Sequence, residues 1–177
     1  MKPHILVIPL LASTLLSACF MSEEPRVVTG TLFARGPVAF CSPEDPPCRI
    51  GVPSGDGYVL TFEEDGNPEE VSVRFEPLTE VGGVPVYLGE AELREEGEVG
   101  WIYLVARPTN ATVEGAPRFE IAMPDCADMG DEDSQRSGIV RADSKSCTVT
   151  DIAGFRAFLK ETYVDEFADP AWWSGDN

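Results

Sequence analysis

Apolar and polar residues alternate along much of the chain between residues 27 and 123, the period expected of strands in a sheet with one buried face. The clearest predicted pair of strands covers residues 58–63 and 71–76, with a Glu-Asp-Gly-Asn turn between them. A turn of this composition between two alternating runs predicts an antiparallel hairpin. The residues predicted to share its buried face are Tyr58, Leu60, Phe62, Val71, Val73 and Phe75.

A second hairpin is predicted from residues 84–93 and 99–107, which flank an acidic turn at residues 95–98. Its second strand is apolar on both faces, with Trp101, Tyr103 and Val105 on one and Ile102 and Leu104 on the other. Strands covered on both sides have this composition. We therefore expect the strand to lie between two apolar layers.

The period changes after Cys147, where apolar residues recur at three- and four-residue spacing and Thr150 or Asp151 is placed to cap a helix. The pattern predicts one helix over residues 151–167, ending before Asp169 and Pro170 because the residue before a proline disfavours helical backbone. Strands followed by a helix indicate an α+β fold. We predict a β-rich antiparallel meander, open or barrel-like, with one packed C-terminal helix and a single domain over residues 27–177.

The N-terminal segment is apolar from Ile5 to Leu16 and follows the positive Lys2. It is shorter than the about 20 residues that a membrane-spanning helix needs, and it is typical of a secretory signal. Leu16-Ser17-Ala18-Cys19 at its end resembles the lipobox of bacterial lipoproteins. The resemblance implies that residues 1–18 are removed and that Cys19 carries two or three acyl chains, which suffice for stable anchoring. The alternative is an ordinary signal peptide with Cys19 left as a thiol.

The same resemblance implies residence in the bacterial cell envelope. In that family Asp after the lipidated cysteine favours the inner membrane; Phe20 stands here, which favours the outer membrane and a periplasm-facing domain. Residues 19–26, polar after Met21, are predicted to form a lipidated tether between the membrane and the domain. The order of apolar and cysteine motifs from Tyr58 to Val149 also resembles that of small envelope lipoproteins, and this resemblance implies no activity.

Charge narrows the choice of partners. The chain has 31 acidic and 13 basic residues, and only Lys2 of the basic ones lies in the predicted signal. A surface this acidic repels nucleic acid and anionic lipid headgroups, since both are bound through Lys and Arg. We expect attachment to the membrane through the lipid on Cys19, a basic protein as partner, and no nucleic acid.

The only histidine, His4, lies in the predicted signal. A mature chain without imidazole lacks the base of the common hydrolase triads and the usual ligand of zinc and copper. We therefore predict neither an enzyme nor a bound cofactor. A minor alternative is a carboxylate-based glycoside hydrolase, whose acids would come from Glu90, Glu92, Glu95, Glu96 and Glu98. The interpretation that we favour for these residues is a charged hairpin tip that keeps an edge of the sheet soluble.

Four cysteines remain after Cys19, and an even number in an exported domain indicates disulfides. The pairs favoured by closeness in sequence are Cys41 with Cys48 and Cys126 with Cys147. A four-thiolate zinc site is the competing interpretation, although the close Cys-x2-Cys spacing of such sites is missing.

The sequence contains three further candidate sites. Asp125, Asp128, Asp131 and Asp133 crowd one loop and form a weak calcium candidate, since they fail the spacing of the known calcium loop. Residues 54–58 (Ser54, Gly55, Asp56, Gly57 and Tyr58) are similar to the Ser-Gly loop of periplasmic lysozyme-inhibitor lipoproteins. Trp172 and Trp173 form either a binding patch or, as we favour, a cover for the domain's own sheet. We predict a lipid-anchored, non-enzymatic structural or binding module; the alternative is an inhibitor of a cationic enzyme such as lysozyme.

Overall fold

The computed structural model describes residues 20–44, 46–64, 67–95, 98–126, 129–130, 134, 137–141 and 146–175. The strands are β1 (Phe20–Ser22), β2 (Val38–Cys41), β3 (Arg49–Ser54), β4 (Gly57–Glu64), β5 (Asn67–Val81), β6 (Val84–Glu95), β7 (Glu98–Val113), β8 (Ala116–Ala122), β9 (Ile139–Arg141) and β10 (Cys147–Val149). The helices are α1 (Ile152–Thr162), α2 (Val164–Ala168) and α3 (Pro170–Ser174).

The sheet closes on itself. Its order is β6-β5-β4-β3-β2-β8-β7-β1-β10-β9, and β6 also pairs with β7, so seven strands from β2 to β8 form a barrel-like ring. Both predicted hairpins are present, with Tyr58 opposite Val73 and Leu88 opposite Val105. The predicted α+β class is confirmed, and the meander takes the barrel-like form.

Strand β7 lies between two apolar cores, as its two apolar faces predicted. Leu104 and Ala106 point into the ring, while Tyr103 and Val105 belong to the core under the helices. The ring interior is rich in aromatic residues, and Phe33 packs against it from an irregular segment, stacked 4.2 Å from the ring of Phe119. The buried residues of the interior are Val38, Phe40, Tyr58, Leu60, Val73, Phe75, Ala91, Leu104, Ala106 and Phe119.

The single helix predicted over residues 151–167 is two helices, α1 and α2, and a third helix, α3, follows from Pro170. Asp151 caps α1 as predicted, accepting from the backbone N–H groups of Ala153 and Gly154. Helix α1 stops at Tyr163, whose buried ring turns inward and whose hydroxyl donates to the Asp125 carbonyl oxygen at 2.8 Å. Asp169 is extended, as a residue before proline prefers, and its side chain caps α3. The helical region is therefore interrupted at Tyr163 and again at Asp169.

The predicted tether over residues 19–26 is wrong at Phe20–Ser22, and its first residue, Cys19, lies outside the described residues. Phe20–Ser22 is a strand of the sheet, and the Phe20 side chain is 0% exposed, with its ring 4.9 Å from that of Phe155. The reason is the free edge of β7 beyond β8, which offers unpaired backbone groups to β1. The folded body therefore includes Phe20–Ser22 and does not start at Val27.

Candidate functional site

Both predicted disulfides are present, Cys41 with Cys48 and Cys126 with Cys147. The first closes the loop between β2 and β3, and the second ties the segment after β8 to β10. All four sulfurs are engaged, so none is left as a thiolate for the competing zinc site.

The Cys41–Cys48 loop borders an open cleft with two lobes, which we call the disulfide-loop cleft. The larger lobe, of about 520 Å³, lies between this loop, the β7–β8 turn and the end of α3, and its lining includes Pro43, Pro46, Pro47, Ile50, Val113, Glu114, Arg118 and Trp173. The smaller lobe, of about 290 Å³, is lined by Ser42, Pro43, Glu44, Ala122, Met123, Trp172 and Gly175. Ser42 and Pro43 line both lobes, so the two are adjacent.

Trp173 lines the larger lobe of the cleft, and two contacts fix the position of its ring. Its indole N–H donates to the Phe167 carbonyl oxygen at 3.2 Å, and the Arg107 guanidinium lies 4.7 Å from its ring. Arg107 in turn pairs with Glu120 at 2.9 Å. The predicted folding back of the terminal tryptophan pair is confirmed for Trp173, which is buried, whereas Trp172 is half-buried at the smaller lobe.

The end of α3 fits the disulfide loop through a glycine. Gly175 has a φ of +72° and ends α3 in the left-handed conformation that glycine adopts without strain. A Cβ atom at this position would lie 2.8 Å from the Pro43 Cβ atom. The proline-rich loop and α3 therefore pack closely, which gives the cleft walls of fixed geometry.

The larger lobe carries a positive group in an acidic protein. The side chain of Arg118 is 38% exposed, and its guanidinium lies 3.4 Å from the Glu120 carboxylate. The same carboxylate is also paired with Arg107. Two arginines thus face one acid, and part of the Arg118 charge is available to the lobe. Prolines, Ile50 and one guanidinium suit binding of an extended protein segment, whose carbonyl or carboxylate oxygen would accept from Arg118.

A second polar group of side chains is buried under the N-terminal segment. Glu90, 3% exposed, accepts from the backbone N–H groups of Arg26 at 2.6 Å and Val27 at 3.2 Å. The hydroxyls of Ser22 and Tyr103 lie 2.9 Å apart nearby. Burial raises the pKa of Tyr103 well above its usual value, and the neighbouring Glu90 charge adds to that rise. These groups fasten the segment after β1 to the sheet.

The sequence-based placement of Glu90 at a charged hairpin tip is wrong, since it lies within β6 beside Leu88. Its position two residues after Leu88 and four after Val86, both buried, was the signal that it belongs to an apolar face. Glu76 on the adjacent strand is ion-paired with Arg156 at 3.1 Å, and burial raises the pKa of its carboxyl while Arg156 lowers it. Both carboxylates therefore have structural partners, which disfavours their use as a hydrolase pair.

The predicted inhibitor loop is a tight turn between β3 and β4, with Ser54 paired to Gly57. Tyr58 is buried, and its hydroxyl oxygen accepts from the Phe33 backbone N–H at 2.6 Å. Asp56 accepts from the Gly30 N–H at 2.8 Å, and this hydrogen bond lowers the pKa of the Asp56 carboxyl. Ser54, Gly55 and Asp56 are exposed, so the turn is presented to solvent in a fixed shape.

The remaining sequence candidates fall partly or wholly outside the description. Cys19 lies outside the described residues, as do Asp128, Asp131 and Asp133 of the calcium candidate. Asp125 is half-buried, and its backbone carbonyl oxygen accepts a hydrogen bond from the Tyr163 hydroxyl. Among the residues that are described, no three acidic, histidine or cysteine side chains come together as a metal site.

Within the described ranges, none of the helices has the length and apolar character needed to cross a membrane. Comparisons of the chain with protein-family models, with curated proteins and with solved structures gave no match.

Proposed function

We propose that the protein is a lipid-anchored, non-enzymatic binding module of the bacterial cell envelope, attached through Cys19 and facing the periplasm. The signal-like segment and the Leu16-Ser17-Ala18-Cys19 motif support the anchor. The two disulfides support export, because such bonds persist in oxidising compartments. The strongly acidic composition favours a partner with a basic surface.

The disulfide-loop cleft is the observation that carries the binding role. Its walls are a loop closed by Cys41–Cys48, a helix end packed on Pro43 and a turn after β7, so little ordering would be needed on binding. The larger lobe combines apolar residues with four polar or charged ones, Ser42, Glu114, Arg118 and Ser174. This chemistry fits an extended segment of a protein partner, with apolar side chains in the lobes.

Position-specific cross-linking tests this role. Ile50 lines the larger lobe, while Val52, two residues along the same face of β3, is exposed outside it. A photoreactive residue at position 50 of the lipidated protein in intact cells should give one discrete protein adduct, and the same residue at position 52 should not. Ile50→Glu should abolish capture of that partner and Val52→Glu should leave it intact. Equal adducts from both positions, or none from position 50, would contradict a partner in the cleft.

The anchor has its own test. Cys19→Ala should abolish incorporation of labelled fatty acid and release the protein from the membrane fraction. Unchanged membrane fractionation of this variant would overturn the assignment.

A second candidate, inhibition of a cationic enzyme such as lysozyme, is favoured by the fixed, exposed turn at Ser54, Gly55 and Asp56. It predicts salt-sensitive inhibition of lysozyme that Ser54→Lys weakens through charge repulsion. No binding to lysozyme at low salt would exclude this candidate.

A further inference from the structure

Strands β1 and β8 meet end to end on one edge of β7. Ala122, the last residue of β8, lies opposite Val105, and Met21 of β1 lies opposite Ile102. Strand β6 occupies the other edge of β7 along this whole stretch. One step of register places Phe20 opposite Tyr103, so only Leu104 separates the partners of the two strand ends.

Two residues along a strand span about 7 Å, so Phe20 lies close to Ala122, and the chain leaving at Ala122 must turn out of the sheet at this junction. The departing chain runs into Met123, which is 40% exposed and lines the smaller lobe with Trp172. Because Ala122 also lines the smaller lobe, Phe20 lies beside that lobe.

The chain is already part of the sheet at Phe20, the first residue that the structure describes. Phe20 is fully buried and Met21 is paired on both sides, with Ile102 and with Thr148. Residue 19 is one peptide unit away, about 3.8 Å between Cα atoms. A lipid attached there would bring the bilayer directly against the junction of β1 and β8.

We infer that the surface around Met123 and Trp172 is the face on which the protein lies against the membrane, its partner being the interface of a bilayer of zwitterionic lipids. This inference rests on the lipid anchor proposed above. Indole rings favour the membrane interface, and methionine supplies a flexible apolar contact. Glu44 on the same lobe and the acidic surface oppose anionic headgroups. The contact is therefore held by the anchor and is not a site of independent membrane affinity.

The orientation of the protein at the membrane also determines where the disulfide-loop cleft opens. Because Pro43 lines both lobes, a smaller lobe at the membrane surface leaves the larger lobe opening beside that surface. The partner segment would then be bound within reach of the bilayer, as in a membrane protein or another anchored protein.

Quenching by brominated lipid tests the inference. The lipidated protein is placed in vesicles of phosphatidylcholine brominated along the acyl chains, which quenches tryptophans near the interface. We expect quenching to fall severalfold in Trp172→Phe, because Trp172 is the half-buried indole at the smaller lobe, whereas Trp173 is buried. A ten-residue Gly-Ser insertion between Cys19 and Phe20 should also remove it. In the Trp172→Phe background, Val52→Trp should gain none.

Oxidation of the native Met123 side chain is a second measurement, which needs no tryptophan substitution and so is unaffected by any folding defect of the Trp172→Phe variant. Peroxide oxidation of Met123 should be severalfold slower in vesicles than in detergent, and the Gly-Ser insertion should restore the rate. Flotation with the vesicles is scored separately: protein that does not float overturns the proposed anchor. Protein that floats while Trp172 is unquenched and Met123 unprotected overturns the orientation, as does quenching that is equal with the insertion.

Discussion

The two faces of β7 are buried by different means. On the ring side, Leu104 and Ala106 meet aromatic residues from strands that are neighbours in the same sheet. On the other side, Tyr103 is covered by β1 and by α1, whose Phe155 ring lies 5.1 Å away. The buried residues of the ring interior are uncharged, and the Tyr58 hydroxyl is their polar group. The outer layer, between β7 and the helices, includes the buried carboxylate of Glu90. The ring face therefore depends on packing and one uncharged hydroxyl, whereas the other face also depends on a charged group that fastens the N-terminal segment.

The largest effects should come from emptying each face in turn. Phe40→Ala in the ring interior and Phe20→Ala in the outer layer each remove a fully buried ring, and each should cost about 3–5 kcal/mol of unfolding free energy. Urea unfolding monitored by circular dichroism measures both. A loss below about 1 kcal/mol for Phe20→Ala would mean that β1 is not held in the sheet.

The polar fastening is tested by Glu90→Gln, which leaves one oxygen where two backbone N–H groups now have a charged acceptor. We expect a loss of about 1.5–3 kcal/mol, the usual size for hydrogen bonds to a charged group. Hydrogen exchange at Arg26 and Val27 should accelerate more than in the ring strands. Glu92→Gln on the same strand is the control, since the partner of Glu92 among the described residues is the exposed Arg94. This substitution should change stability by less than about 0.5 kcal/mol. Equal losses in the two variants would count against the fastening.

A matched pair of tyrosines compares the faces at smaller scale. The Tyr58 hydroxyl oxygen accepts from the Phe33 backbone N–H in the ring, and the Tyr103 hydroxyl bonds to Ser22 in the outer layer. Removal of either hydroxyl should cost about 1 kcal/mol. In Tyr58→Phe, exchange should increase at residues 33 and 34, and in Tyr103→Phe at residues 22–24. Acceleration at the same amides in both variants would show that the two layers open together.

The smallest expected effect is a pH dependence of folding stability that arises from Glu76 in the outer layer. Because burial raises the pKa of Glu76 above 4.5, the folded state binds its proton more tightly than the unfolded state. Stability of the wild type relative to Glu76→Gln should therefore rise as the pH falls through the folded pKa, and the gain should be complete below the unfolded pKa. Urea midpoints of both proteins from pH 7 to pH 4 check the sign. A relative stability that falls over this range would show that the Arg156 ion pair outweighs burial.

Part of the ring interior is predictable from sequence, because β4 and β5 alternate apolar and polar residues and are joined by a turn of recognisable composition. The pairing of Cys41 with Cys48 followed for a similar reason, since seven residues of separation and the prolines between the two make a short loop. The outer layer was less accessible. Whether Phe20 joins a sheet depends on a free edge of β7 more than 80 positions away, and no local pattern reports that edge.

The cleft could not be predicted because its walls come from three distant parts of the chain. Pro43, Val113 and Trp173 carry no pattern that brings them together. The tryptophan pair showed only that one end of the chain would be covered. Gly175 had a partial signal, since glycine after a helix indicates a left-handed cap, but its contact with Pro43 depends on the fold.

The proposed attachment at Cys19 is tested most directly by the mass of the N-terminal peptide of the protein purified from native membranes. The account predicts a peptide that begins at Cys19 and carries a diacylglyceryl group on sulfur and an acyl group on the amine. A mature chain that begins elsewhere, or a Cys19 without lipid, would contradict it.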